Sequence, residues 1–319
     1  MRLRPLVIVL AVQLLLAGGL IVAIASGALS DLFGGDDSSS GTIAATRADT
    51  APRLSPTPAL PVVPRARVNR FDASRAMAWA RRQVALGPRP AGSAAQRRAA
   101  EFLRAALPGG RFVSIGGGLR NIVGRLPGTG PPILLIAHYD TTPVPGYLGA
   151  NNSAAAVGAI LELARDLRHR PPGRPIRLLL TDGEEAPTYP VQGDFYSQGL
   201  RGSRYAAARP PRPGTVIVLD FVAQKGLRYA REAGSDPALW GQLRAAARRV
   251  GVGAVFPDAQ AGEVLDDHTP FTRQGVPGID LIDFDYPCWQ KPCDTLDKLS
   301  TRALDATGEA VYQLVRTLG

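Results

Sequence analysis

Three short stretches, Ile133–His138, Ile176–Thr181 and Val216–Asp220, are apolar along nearly their whole length. A strand with one wet face alternates apolar and polar residues, so a run that does not alternate needs cover on both faces. Between the first two, Val157, Ile160, Leu161, Ala164 and Leu167 recur at helical spacing. Asn121–Leu126 and Gly278–Phe284 are further strand candidates, the latter interrupted by Asp280 and Asp283. Ser74–Leu86 and Ala94–Leu107 read as helices. So does the end of the chain, where Leu304, Val311 and Leu314 share a face behind a capping Ser300. Strands alternating with helices predict an α/β fold: a mostly parallel central sheet flanked by helices on both faces.

The N-terminus has a different composition. Arg2 and Arg4 precede an apolar stretch from Pro5 to Leu29 in which Gln13 is the only strongly polar side chain before Ser26. As a helix it would reach roughly 38 Å, enough to cross a bilayer. It is longer than a signal-peptide core, yet Ala23-Ile24-Ala25 also reads as a cleavage site. The arginines on one side and Asp31, Asp36 and Asp37 on the other place the N-terminus inside and the rest outside. Residues 30–70, with a serine run and Pro52, Pro56, Pro58, Pro61 and Pro64, read as a disordered stalk. The expected organisation is an anchor or signal segment at 1–29, a stalk at 30–70 and one α/β domain at 71–319. The location follows: single-pass at the cell membrane with the domain outside, or secreted if the first segment is cleaved.

Lys and Arg number 37 against 27 acids, a net charge of +10, and only three of the bases are Lys. The arginines are scattered, with no basic run among aromatics, so no nucleic-acid partner is expected. The two cysteines, Cys288 and Cys293, sit five apart. Outside the cytoplasm they suit a disulfide; free buried thiols, or one serving as a soft metal ligand, are the alternatives.

Chemistry gathers where the strands end, the place at which open α/β sheets bind ligands. His138-Tyr139-Asp140 follows the first run, Asp182-Gly183-Glu184-Glu185 the second, and Asp220 closes the third. Asp266-Asp267-His268 and Tyr286-Pro287-Cys288-Trp289-Gln290 come from later loops. Carboxylates brought so close repel and are costly to desolvate. A divalent cation resolves that, and imidazole with carboxylates is the donor set of catalytic zinc. Taken singly, each residue also has an ordinary structural reading; Asp267, for example, could cap a short helix at 269–273.

Leu86-Gly87-Pro88-Arg89-Pro90-Ala91-Gly92-Ser93, His138-Tyr139-Asp140, Gly149-Ala150-Asn151-Asn152, Asp182-Gly183-Glu184-Glu185-Ala186 and Asp266-Asp267-His268-Thr269-Pro270-Phe271 together resemble the M28 family of zinc peptidases. With Tyr196–Arg204 they look most like its glutaminyl-peptide cyclotransferase branch. The resemblance runs over residues 75–317. It implies that Glu184 is the general acid/base and that His138, Glu185 and Asp220 are metal ligands. In the cyclases Asp220 belongs instead to a proton network with Asp267. It also implies that Trp289 forms an aromatic wall of the substrate pocket.

Two positions depart from the family pattern: Asn152 stands where the family has Asp, and Gln290 where it has His. An amide is uncharged and a poor zinc ligand. The expected metal site therefore holds at most one zinc ion, weakly or not at all, by His138 and Asp220 with Asn152 or Glu185. The expected function is a membrane-tethered, metal-dependent enzyme acting on peptide N-termini, either an aminopeptidase or a glutaminyl cyclase. The alternative is a pseudoenzyme, the fold kept as a binding module after its metal site decayed. Arg201 and Arg204 could bind a peptide carboxylate, although surface arginines are more often simply solvated.

Overall fold

The computed structural model describes residues 60–318. The expected anchor at 1–29 and most of the expected stalk lie outside them. Among the described residues no helix is long and apolar enough to cross a membrane.

Two helices, α1 (Ala73–Val84) and α2 (Ala94–Ala106), lead into β1 (Arg111–Gly116), β2 (Leu119–Leu126) and β3 (Ile133–His138). Then come α3 (Ala156–His169), β4 (Ile176–Thr181), α4 (Phe195–Gln198), α5 (Arg201–Ala207) and β5 (Thr215–Leu219). The chain ends with α6 (Pro237–Val250), α7 (Thr269–Thr272), β6 (Gly278–Leu281) and α8 (Thr301–Leu318). The six strands form one sheet in the order β1-β2-β4-β3-β5-β6. Strands β4, β3, β5 and β6 are parallel, whereas β1 and β2 form an antiparallel hairpin on the β4 edge. The sheet is therefore mixed, with a parallel heart and one antiparallel edge.

Alternate residues of the central strands feed two separate cores. Ile133, Leu135 and Ala137 join Leu178, Leu180, Ile217 and Leu219 under the long helices α1, α3, α6 and α8. Leu134, Ile136, Leu179, Val216 and Val218 face the other way, against Ala207 of α5 and Phe271 of α7. Covered faces on both sides explain why these strands carry no alternation in sequence.

Two expectations need correcting. Strand β6 stops at Leu281, three residues short of the expected Phe284, because the chain there turns into the aromatic loop. Residues 60–70, expected within the stalk, instead lie against the domain without helix or strand: Val63 is buried in the main core and the Arg67 amide donates to the Val250 carbonyl at 2.8 Å.

Candidate active site

The sheet order reverses at β3, whose neighbours β4 and β5 lie on either side, and the loops beyond these three strands meet there. His138 is the last residue of β3 and is buried. Its Nδ1 lies 3.1 Å from the Asp140 carbonyl oxygen, which fixes the ring. Its Nε2 faces the Asn152 Oδ1 at 2.6 Å, with Asp220 Oδ1 at 3.5 Å and Glu184 Oε2 at 3.9 Å.

Beyond β4 the chain turns sharply at Gly183, whose φ of +68° suits glycine. Asp140 then receives the backbone amides of Glu184 and Glu185, both at 3.2 Å. The Arg201 guanidinium seals the turn from the far side, donating to the Gly183 and Glu185 carbonyls. Arg201 is thus engaged by the loop that carries the acids, and Arg204 donates to the Ser197 carbonyl; neither is a free peptide-binding arginine, and neither is merely solvated.

Asn152 comes from a kinked turn, Ala150–Ala155, in which Asn152 and Ser153 leave helical geometry. Asp294 holds this turn, accepting from the Asn151 and Asn152 amides at 2.9 and 3.1 Å. Glu185 lies between two amides: Asn152 Nδ2 donates to its Oε1 and Gln290 Nε2 to its Oε2, each at 3.0 Å. His138, Glu184 and Glu185 each offer one ligand atom within 4.8 Å of the others and could share a metal ion. Asp220 adjoins them through His138. Cys288 and Cys293 are joined in a disulfide, so neither is a thiolate ligand.

Asn152, Glu184, Glu185, Asp220 and Gln290 line one side of a cavity of about 510 Å³. Its other walls are largely apolar, with Phe221, Val264, Ile282, Phe284 and Trp289 among them. Trp289 is 40% exposed and packs on Phe284 with ring centroids 4.9 Å apart, so the pair forms an aromatic rim. Burial pushes the Glu184 carboxyl well above the ordinary range; His138 opposes this, while Glu185, Asp266 and Asp267 reinforce it. Burial pushes Glu185 up to about 7, and it raises Asp220 as well. For His138 burial acts downward, but Glu184, Asp140 and Asp220 outweigh it and raise the imidazole well above its usual value.

Asp267 does not face the cavity. Its Oδ2 accepts from the Thr181 hydroxyl behind β4, and it caps no helix. The cavity-lining acid is its neighbour Asp266. Sequence reasoning also passed over the supports Asp140 and Asp294. Asp140 was visible beside His138, whereas nothing in the pattern around Asp294 marks it.

The family model described as Peptidase family M28 matches residues 121–315. A glutaminyl-peptide cyclotransferase-like protein of Mus musculus is 28% identical over 211 residues, covering 55% of this chain and 54% of that protein. The chain spans about half the length of the curated relatives it matches. Among solved structures, Porphyromonas gingivalis glutaminyl cyclase superposes with a TM-score of 0.71 at 29% identity, over 79% of this chain and 100% of that one. A leucine aminopeptidase precursor from Bacteroides thetaiotaomicron gives 0.72 at 26% identity, over 80% and 99%. The family match covers the sheet from β2 onward and every strand-end loop that builds the cavity. The chain belongs to peptidase family M28.

Proposed function

We propose that the chain acts on the N-terminus of peptides, with Glu184 as the proton carrier, and that its reaction is cyclisation of an N-terminal glutamine. The observation that carries this reading is Glu184 itself: a buried carboxyl with a raised pKa, set in the wall of an otherwise largely apolar cavity. A carboxyl that burial makes harder to ionise than usual is suited to both taking and returning a proton. The aromatic rim and the cavity volume suit one terminal residue rather than a folded partner.

Cyclisation asks little of the protein. The α-amine attacks the γ-carboxamide carbon of its own residue, forming the ring C–N bond. The bond to the carboxamide nitrogen breaks and ammonia leaves. Glu184 takes the proton from the attacking amine and delivers it to the departing nitrogen. Both reacting groups belong to one residue, so holding it folded supplies much of the acceleration: well-oriented intramolecular reactions reach effective molarities of about 10⁵ M or more. The Phe284–Trp289 rim would hold that conformer and exclude water. Zinc, where M28 enzymes carry it, polarises a carbonyl. The donors here are a poor match for it, because Asn152 and Gln290 present N–H groups to Glu185, and the acid–base route stands on this chain's own residues.

The same two amides favour a second reading, a binding module that holds peptide termini without turnover. We place the domain outside the membrane, tethered by residues 1–29; the Cys288–Cys293 disulfide agrees with an oxidising compartment.

Mass spectrometry of peptides starting with Gln, Leu or Ala tests these readings. Loss of ammonia from the Gln peptide alone is expected, slowed at least about 100-fold by Glu184→Gln. Release of the first residue would make the chain an aminopeptidase. Binding without conversion would make it the module.

A further inference from the structure

Glu185 is 4% exposed, and both its oxygens are already committed. A carboxylate can only accept, so the amides at 152 and 290 must turn their NH₂ groups toward it. Reversing either amide would set oxygen against oxygen. The orientation of Asn152 carries a consequence for His138. Its Oδ1 then faces the imidazole Nε2 at 2.6 Å, and that nitrogen must donate. A ring nitrogen carrying a proton is no ligand. Of the groups that would form a metal shell, His138, Asn152, Glu185 and Gln290 are thus spent on one another, as a bridge from the imidazole through two amides and a carboxylate; Glu184 and Asp220 stand outside it.

Both amides are fixed from behind. The backbone N–H of Asn152 is tied to Asp294. Gln290 sits inside the loop closed by the Cys288–Cys293 disulfide, and its φ of +51° lies in the left-handed region that a residue with a Cβ avoids. Such a conformation is strained and persists only where the surroundings dictate it. Here it delivers the amide to Glu185.

We propose that this bridge takes the place of the family's metal: Asn152 and Gln290 hold Glu185 by donated hydrogen bonds, and the chain binds no zinc at this site. The inference concerns metal content alone, is read without substrate, and so fails or survives separately from the reaction proposed above.

The test uses the full chain in detergent, loaded with zinc chloride, dialysed and assayed by elemental mass spectrometry and calorimetry. Wild type is expected to retain well under one zinc per chain, and a chelator should leave its Tm unchanged. The double variant Asn152→Asp with Gln290→His restores a carboxylate and an imidazole, and its zinc affinity is expected to be at least about 100-fold higher. Stoichiometric zinc in the wild type, with a Tm that falls on chelation, would overturn the proposal. So would equal zinc affinity in wild type and a folded double variant. If the double variant does not fold, Glu185→Gln decides alongside the wild-type metal content. It sets an NH₂ against the donors at 152 or 290, so the metal-free protein should lose several degrees of Tm; an unmoved Tm would overturn the bridge.

Discussion

Asp280 lies on β6, fully buried, and neither of its carboxylate oxygens meets a hydrogen-bond donor. Burial raises its pKa well above the ordinary value, and Asp266, Asp220 and Glu232 around it push the same way. Asp266 is pushed up to about 6. Asp280 therefore keeps its proton in the folded state at a pH where the unfolded chain has lost it. A raised carboxyl pKa contributes stability that is complete below the unfolded value and disappears as pH rises through the folded one. As pH rises above about 4, the ordinary Asp value, the wild type should lose Tm, and Asp280→Asn, which cannot ionise, should lose clearly less. Parallel thermal curves for the two chains would contradict this assignment. At this scale the sequence was only partly legible. His138, Glu184, Glu185 and Asp220 could be read from their places at strand ends. Asp266 and Asp267 could not be told apart, because adjacent loop residues point in directions that only the fold decides.

The kinked turn at 150–155 shows the same limit for a whole element. Its entry is Gly149, at φ +57°, where a Cβ would lie 2.3 Å from the Asn152 carbonyl oxygen. Its anchor is the Asp294 carboxylate, which takes the two turn amides and also the Tyr286 and Tyr147 hydroxyls at 2.8 and 3.3 Å. An Asp294→Asn chain swaps an acceptor for a donor amid four donors. One left unpaired in a buried place costs about 1–3 kcal/mol. The urea midpoint should fall accordingly with the m-value unchanged, and the 290 loop should loosen because Tyr286 shares the anchor. No local periodicity announces such a turn, since its hydrogen bonds come from residues some 140 positions away. Strands β3, β4 and β5 were legible for the opposite reason: burial on both faces leaves a continuous apolar run. Strand β1 went unread because it is an edge strand with mostly half-exposed or exposed residues, including Arg111 and Ser114. Helix α6 carries a capping Asp236 and a proline in its first turn. These signals were present, but they fall in a stretch that sequence reading did not divide into elements.

For the molecule as a whole, the segment at 60–70 sets where the folded unit begins. Composition assigned it to the stalk, because prolines and arginines dominate it. Packing draws it in: Val63 enters the core beside α6 and α8, Arg67 bonds the end of α6, and the Arg70 and Phe71 amides both donate to the buried Glu309 of α8. Leu60 and Pro61 lie over Gly226, where a side chain would collide with them. A chain trimmed to begin at Leu60 should match the untrimmed protein in urea. One trimmed to begin at Phe71 gives up Val63, worth about 1.5–2 kcal/mol of burial. It also loses the Arg67 and Arg70 backbone bonds, each worth about 1 kcal/mol, and should unfold at correspondingly lower urea. Val63→Ala in the longer chain should reproduce part of that loss, because it leaves the backbone in place and removes only the apolar contact. If the two trimmed chains were equally stable, the segment would be resting on the surface without supporting it.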